Sequence, residues 1–80
     1  MKTAIVTGAT SGIGRAAAIA LGEAGWSVAV SGRDQSRGRE VVESLEGEGC
    51  FFAADLDKPG APDQLVDRCM ERWGRLDLLV

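Results

Sequence analysis

The sequence predicts an α/β fold, a doubly wound parallel sheet, and three observations carry that prediction. Short apolar runs alternate with segments of helical periodicity along all 80 residues. The runs are apolar almost throughout rather than at every second position, as expected of strands covered on both faces. Glycines punctuate the junctions where a strand turns into a helix or a helix stops. Strand–helix alternation of this kind builds a parallel sheet sandwiched between helices.

Thr3-Ala4-Ile5-Val6-Thr7 reads as the first buried strand. A helix follows from Gly12 to Ala24, with Ile13, Ala16, Ala17, Ala20, Leu21 and Ala24 on one stripe, and Gly25 suits the left-handed position just past its end. Trp26 to Ser31 is the second strand, and Asp34 is placed to cap a second helix by accepting from free backbone N–H groups. Gly38, Val41, Val42 and Leu45 form that helix's inner face and Gly47 ends it. A glycine inside a helix costs about 1 kcal/mol against alanine, so Gly38 marks close packing or a weak first turn. Cys50 to Ala54 is the third strand, and Lys58 to Pro62 a loop from which either proline can open a helix. Leu65, Val66, Cys69, Met70 and Trp73 make the stripe of a third helix stopped by Gly74, and Leu76 to Val80 is a fourth strand. The whole reads as residues 1–80 of one Rossmann-type sheet that is incomplete, ordered strand, helix, strand, helix, strand, helix, strand.

Composition narrows the function classes. An apolar fraction of 45% with 26% charged residues is ordinary globular composition. A chain this short buries only about 60% of the surface its unfolded form exposes. Net charge is −3 and the Lys and Arg residues are scattered, which argues against nucleic acid as a partner. The apolar run of Ala4-Ile5-Val6 is shorter than the roughly 7–15 residues of a signal-peptide core. No run approaches the roughly 18 residues of a membrane span. The expectation is a cytoplasmic protein without a membrane partner. Cys50 and Cys69, with no histidine in the chain, cannot fill a four-coordinate zinc site. They read as small apolar core residues, and no metal is expected.

Chemistry concentrates in the turn after the first strand, Thr7-Gly8-Ala9-Thr10-Ser11-Gly12-Ile13-Gly14. Gly8 permits the tight turn, Gly12 lets a diphosphate approach the backbone, and Gly14 lets helix and strand pack closely. The helix's first N–H groups then face the diphosphate with roughly half a positive charge. The context such a motif needs is present, with a strand before it, a helix after it and a second strand about twenty residues on. A phosphate-binding loop of the Gly-Lys-Ser/Thr type is excluded, because no lysine lies between Lys2 and Lys58.

Thr-Gly-x-x-x-Gly-Ile-Gly resembles the cofactor motif of the short-chain dehydrogenase/reductase family. Asp55-Leu56 after the third strand is similar to that family's adenine-contacting pair. Trp73-Gly74-Arg75-Leu76-Asp77-Leu78-Leu79-Val80 resembles the segment leading into its fourth strand. The resemblance runs over the whole chain. It implies an oxidoreductase that moves a hydride between a nicotinamide cofactor and a small-molecule carbonyl or secondary alcohol, working as a homo-oligomer when full length. It also implies cofactor contacts at Gly8, Ala9, Thr10, Ser11, Gly12, Ile13 and Gly14, and an adenine contact at Asp55 with the Leu56 backbone. For Asp55 the competing reading is a loop aspartate that caps the Pro59–Pro62 turn.

Selectivity between the two dinucleotides is set at the end of the second strand, where Asp or Glu would bind the ribose hydroxyls of NAD. This chain has Gly32 there and Arg33 beside it. A guanidinium paired with the 2′-phosphate is worth about 1.5–3 kcal/mol, or roughly 10- to 150-fold, so NADP(H) is the preferred cofactor and NAD(H) the second choice. Asp34 is read as the helix cap rather than as a ribose acceptor. One departure from NADP-using relatives is Ser11, where many of them carry Lys or Arg.

The family's proton donor is a Tyr activated by a Lys four residues on. This chain has no tyrosine, no histidine, and only Lys2 and Lys58 as lysines. The expectation is that it forms about the first third of a longer reductase, holding the cofactor half without the catalytic half, and does not catalyse alone. A reading from another class is a non-catalytic NADP(H)-binding sensor or scaffold module.

Overall fold

Alternate residues of each strand feed two separate cores, and this decides where the helices lie. The computed structural model describes residues 2–9, 12–55 and 57–80. Along them run β1 (Thr3–Thr7), α1 (Gly12–Glu23), β2 (Ser27–Gly32), α2 (Gln35–Ser44), β3 (Gly49–Ala53), α3 (Ala61–Trp73) and β4 (Leu78–Leu79). Val6, Val28 and Val30 point to one face, where Ala18 of α1 and Val41 of α2 cover them. Ile5 and Ala29 point to the other, under Leu65 and Cys69 of α3. Val6, Val28 and Val30 are wholly buried, each worth about 1.5–3 kcal/mol over exposure.

All the strands run parallel in the order β3-β2-β1-β4. The chain thus winds outward from β1 through β2 to β3, then crosses to the other side of β1. That reversal, with helices on both faces, is the doubly wound Rossmann-type arrangement the alternation predicted. It leaves a crevice at the carboxyl ends of the strands, on either side of β1.

Several boundaries differ from expectation, each for a local reason. β2 and β3 are shifted by a single residue. The stripe on α1 is rotated: Ile13 is 89% exposed, and Ala16, Ala20 and Ala24 also face outward. The packed side holds Ala17, Ala18, Leu21 and the small Gly14 and Gly22. Close backbone approach at the glycines fixes the helix's rotation, and alanine periodicity could not reveal it. Past α1, the Trp26 N–H bonds to the Leu21 carbonyl at 3.0 Å and the Gly25 N–H to Gly22 at 3.0 Å. With Gly25 at φ 91°, this is the glycine stop that was anticipated.

α2 ends before Gly47, at Ser44. Leu45 is already extended (φ −76°, ψ 138°), and its N–H bonds back to the Val42 carbonyl. Its side chain returns to the core against α1, so burial of a leucine stops this helix. Gly38 is a packing glycine: a Cβ there would fall within the Phe51 ring. α3 takes up two residues expected in the loop, Ala61 and Pro62. Proline's missing N–H costs nothing in a first turn, and Gly60 at φ 82° bends the chain into it. Gly74 closes α3 as expected, at φ 73° with its N–H on the Met70 carbonyl.

β4 is shorter than expected, but its backbone bonds run further. Asp77 N–H donates to Thr3, Val80 N–H to Ile5, and Thr7 N–H to the Val80 carbonyl, each at 2.9 Å. Asp77 also receives the Thr3 N–H on Oδ2 at 2.8 Å and is gripped by Arg75 at 2.6 and 2.9 Å. A strand carboxylate is thereby paired, and it clips β4 to the start of β1. Leu79 and Val80 remain about half exposed along this outer strand.

Cys50 and Cys69 are free thiols in the second core, as read from the sequence. Burial pushes the Cys50 thiol up to about 11 and raises Cys69 as well. The tryptophans pack at the rims of the two cores, with Lys2 over Trp26 and Arg72 over Trp73.

Candidate functional site

Because the strands are parallel, the residues that follow them gather at one edge of the sheet. Thr7 is level with Ser31, and Gly32 with Ala53, so the glycine turn, Arg33 and Asp55 all leave the same end. Backbone bonds fasten the strand ends together. Ala9 N–H donates to the Ser31 carbonyl at 3.2 Å and Ala54 N–H to Gly32 at 3.1 Å, while the Thr7 hydroxyl donates to Val80 at 2.6 Å.

Gly8 and Gly12 both lie at φ +61°, a left-handed conformation that costs an ordinary residue roughly 1–2 kcal/mol. A Cβ on either would meet no atom of the described residues within 4 Å. Among those residues the backbone is therefore bare at both positions, as close approach of a ligand requires. Gly14 is different: a Cβ there would overlap the Gly8 carbonyl oxygen and lie 2.9 Å from its carbon. The two roles assigned to these glycines, approach and close packing, thus fall on different residues. α1 carries no acidic residue in its first turn, so nothing there offsets the positive end of its dipole.

The other candidates occupy distinct positions. Ala9 is fully buried with its N–H committed to Ser31, so it anchors the turn to β2. Ile13, though not a core residue, projects an apolar side chain into solvent beside the turn, a position suited to covering a ligand. Thr10, Ser11 and Leu56 lie outside the described residues.

Arg33 is exposed and lines an open cleft of about 540 Å³ between the ends of β2 and β3 and the start of α3. Its neighbour Asp34 accepts the Arg37 N–H at 3.1 Å and pairs with the Arg37 side chain at 3.6 Å. That carboxylate is spent on capping α2, as anticipated. Asp55 lines the same cleft; its Oδ1 accepts the Asp57 N–H at 3.0 Å, and its carbonyl accepts from Lys58 N–H at 3.0 Å. One carboxylate oxygen thus shapes the turn over residues 55–58 rather than the Pro59–Pro62 turn that the loop reading named, and Oδ2 has no partner among the described residues. The cleft also contains Lys58, Gln64 and Arg68, which sequence reasoning did not single out. The signal for Lys58 was its place two residues beyond the Asp55-Leu56 pair; Arg68 gave none, being one charge among several on an amphipathic helix.

Among the described residues no group of His, Cys, Asp and Glu is placed to hold a metal, and no helix is long and apolar enough to cross a membrane.

The family profile described as short chain dehydrogenase matches residues 2–80. An uncharacterized oxidoreductase of Thermotoga maritima is 40% identical over 82 residues, covering 99% of this chain and 32% of that protein. A 3beta-hydroxysteroid dehydrogenase of Mediterraneibacter gnavus is 42% identical, with 99% of this chain and 30% of that protein covered. Among solved structures, a metagenomic short-chain oxidoreductase in complex with NADP superposes with a TM-score of 0.91 at 34% identity, over 98% of this chain and 37% of that one. An NADPH-dependent reductase involved in bacilysin biosynthesis gives 0.90 at 28% identity, over 98% and 35%. The chain spans about a third of the length of the curated relatives it matches. With the glycine turn, the strand order and the full-length profile match in agreement, the chain belongs to the short-chain dehydrogenase family of oxidoreductases.

Proposed function

We propose that this chain is the NADP(H)-holding part of a short-chain oxidoreductase that interconverts a small-molecule carbonyl and a secondary alcohol. The observation that carries the reading is the end of β2. Arg33 lines the cleft with no ion-pair partner among the described residues, while the adjacent carboxylate of Asp34, the group that could otherwise have bound a ribose hydroxyl, is turned into the cap of α2. A dinucleotide's diphosphate fits the left-handed backbone at Gly8 and Gly12, with Gly14 letting α1 pack close to it, and the family motif adds contacts from Thr10 and Ser11. Ile13 covers it, and Ala9 keeps the turn tied to β2. Arg33 faces the 2′-phosphate, and Asp55, with the Leu56 backbone, receives the adenine amino group. The NADP complex of a relative 34% identical to this chain supports the same choice.

When bound, the cofactor supplies or accepts the hydride. The chain's own residues bind and orient it. These 80 residues contain no tyrosine, so binding and orienting the cofactor is the role assigned to them. A homo-oligomer in the cytoplasm, where free thiols persist, completes the reading. Calorimetric titration of the full-length protein with NADPH and NADH tests it. NADPH is expected to bind roughly 10- to 150-fold more tightly. Arg33→Ala should remove much of that preference and leave NADH affinity nearly unchanged. Equal or tighter binding of NADH would overturn the proposal.

A further inference from the structure

Arg33 does not stand alone in its cleft. Lys58, in the turn between β3 and α3, and Arg68, on α3, line the same space. Elsewhere in the chain, Arg37, Arg72 and Arg75 each rest on a carboxylate, at 3.6, 3.5 and 2.6 Å, while Lys2, Arg15 and Arg39, which do not share a cleft, have no ion pair among the described residues. Among the described residues, none of Arg33, Lys58 and Arg68 has such a partner. The single acidic residue lining the cleft, Asp55, has one oxygen turned to the Asp57 amide. In a chain of net charge −3, this is a local concentration of unneutralised positive charge around a concave surface. Arg68 is also held in place, its guanidinium lying 5.7 Å from the centre of the Phe52 ring. Three cations with no ion pair against one carboxylate leave the cleft with a net positive charge that suits a small dianion, and a phosphomonoester is such a group at neutral pH.

We propose that Lys58 and Arg68 are specificity-determining residues that share with Arg33 the recognition of the 2′-phosphate of NADP(H). Selectivity is then distributed over β2, the β3–α3 turn and α3. This rests on the NADP(H) reading above and extends it to side chains on the far wall of the cleft. Each is exposed, so each contributes modestly, up to about fivefold in affinity. Their joint effect rivals that of a single well-placed arginine.

The test uses the full-length protein with Lys58→Gln, Arg68→Gln, the double variant, and Arg33→Ala. NADPH and NADH are titrated by calorimetry at one fixed salt concentration. Lys58→Gln and Arg68→Gln should each weaken NADPH by up to about fivefold and leave NADH unchanged, and Lys58→Arg should retain the preference. Phosphorus NMR of bound NADPH gives an independent readout: the 2′-phosphate's second ionisation, ordinarily near 6, is held low by the cations and should rise in each glutamine variant. If NADPH and NADH weaken together, or neither changes, the shared recognition is wrong. If Arg33→Ala alone erodes the preference, the NADP(H) reading survives and this extension fails. If Arg33→Ala also changes nothing, both fail.

Discussion

Gly14→Ala sets two physical effects against each other. By helix propensity alone, alanine for glycine inside a helix should stabilise by up to about 1 kcal/mol. The structure predicts the opposite. The added Cβ would overlap the Gly8 carbonyl oxygen, 2.9 Å from Gly8 C and 3.1 Å from the Ala9 Cα. All of these are backbone atoms, and Ala9 is fixed by full burial and by its bond to Ser31. No rotamer relieves the contact, so α1 must lift from the turn. Overpacking costs about 1–3 kcal/mol, and the upper end applies where nothing can rotate away. Less the propensity gain, the net loss is about 2 kcal/mol. Urea denaturation of the full-length protein measures it, and NADPH titration should show weaker binding in parallel because the turn moves with the helix. A variant as stable as the parent, with unchanged NADPH affinity, would refute the reasoning.

Other perturbations follow from the same geometry. Gly38→Ala places its Cβ in the Phe51 ring, but that half-buried side chain can swing, so the net cost in urea should be about 0–1 kcal/mol, smaller than for Gly14→Ala. Gly12→Ala strains a φ of +61° and should lower both stability, by roughly 1–2 kcal/mol, and dinucleotide affinity. The hydrogen bond from Arg75, then that from Thr3 N–H, holds the Asp77 carboxyl below the usual carboxylate range. A depressed folded value contributes stability above the unfolded value, about 3.9, and loses it as pH falls further. Asp77→Asn should therefore be less stable at neutral pH and lose less on acidification, as urea midpoints between pH 7 and 3 would show. With its thiol at about 11, Cys50 should react with iodoacetamide at pH 8 on the order of 100-fold more slowly than a free cysteine, measured by mass spectrometry.

Much of the fold could be read from the chain because its local signals agree. Buried strands, glycine stops and an aspartate cap all point to the same element order, and β1 matches to the residue. What misled was chemistry with two solutions. An alanine-rich helix has no sharp apolar face, so α1's rotation depended on two glycine contacts with residues remote from their own turn of helix. Gly47 looked like a stop, yet Leu45 had already left the helix to fill the core. At the candidate site, the glycine turn and the position of Arg33 just past β2 could be read because their spacing is local. The cleft was not, since Lys58 and Arg68 join Arg33 only when β3 pairs with β2.

The clip between Asp77 and Thr3 has a consequence for the order of assembly. It spans a sequence separation of 74, whereas β1 and β2 are joined by a single helix. Closing so long a loop is entropically costly, and contacts of that range are made late. β1 therefore acquires its β2 neighbour while its opposite edge still waits, and the carboxylate–guanidinium grip fixes the register once β4 arrives. Native-state hydrogen exchange should show that history: the amides of Asp77 and Val80 are expected to open more readily than those of Val28 and Val30.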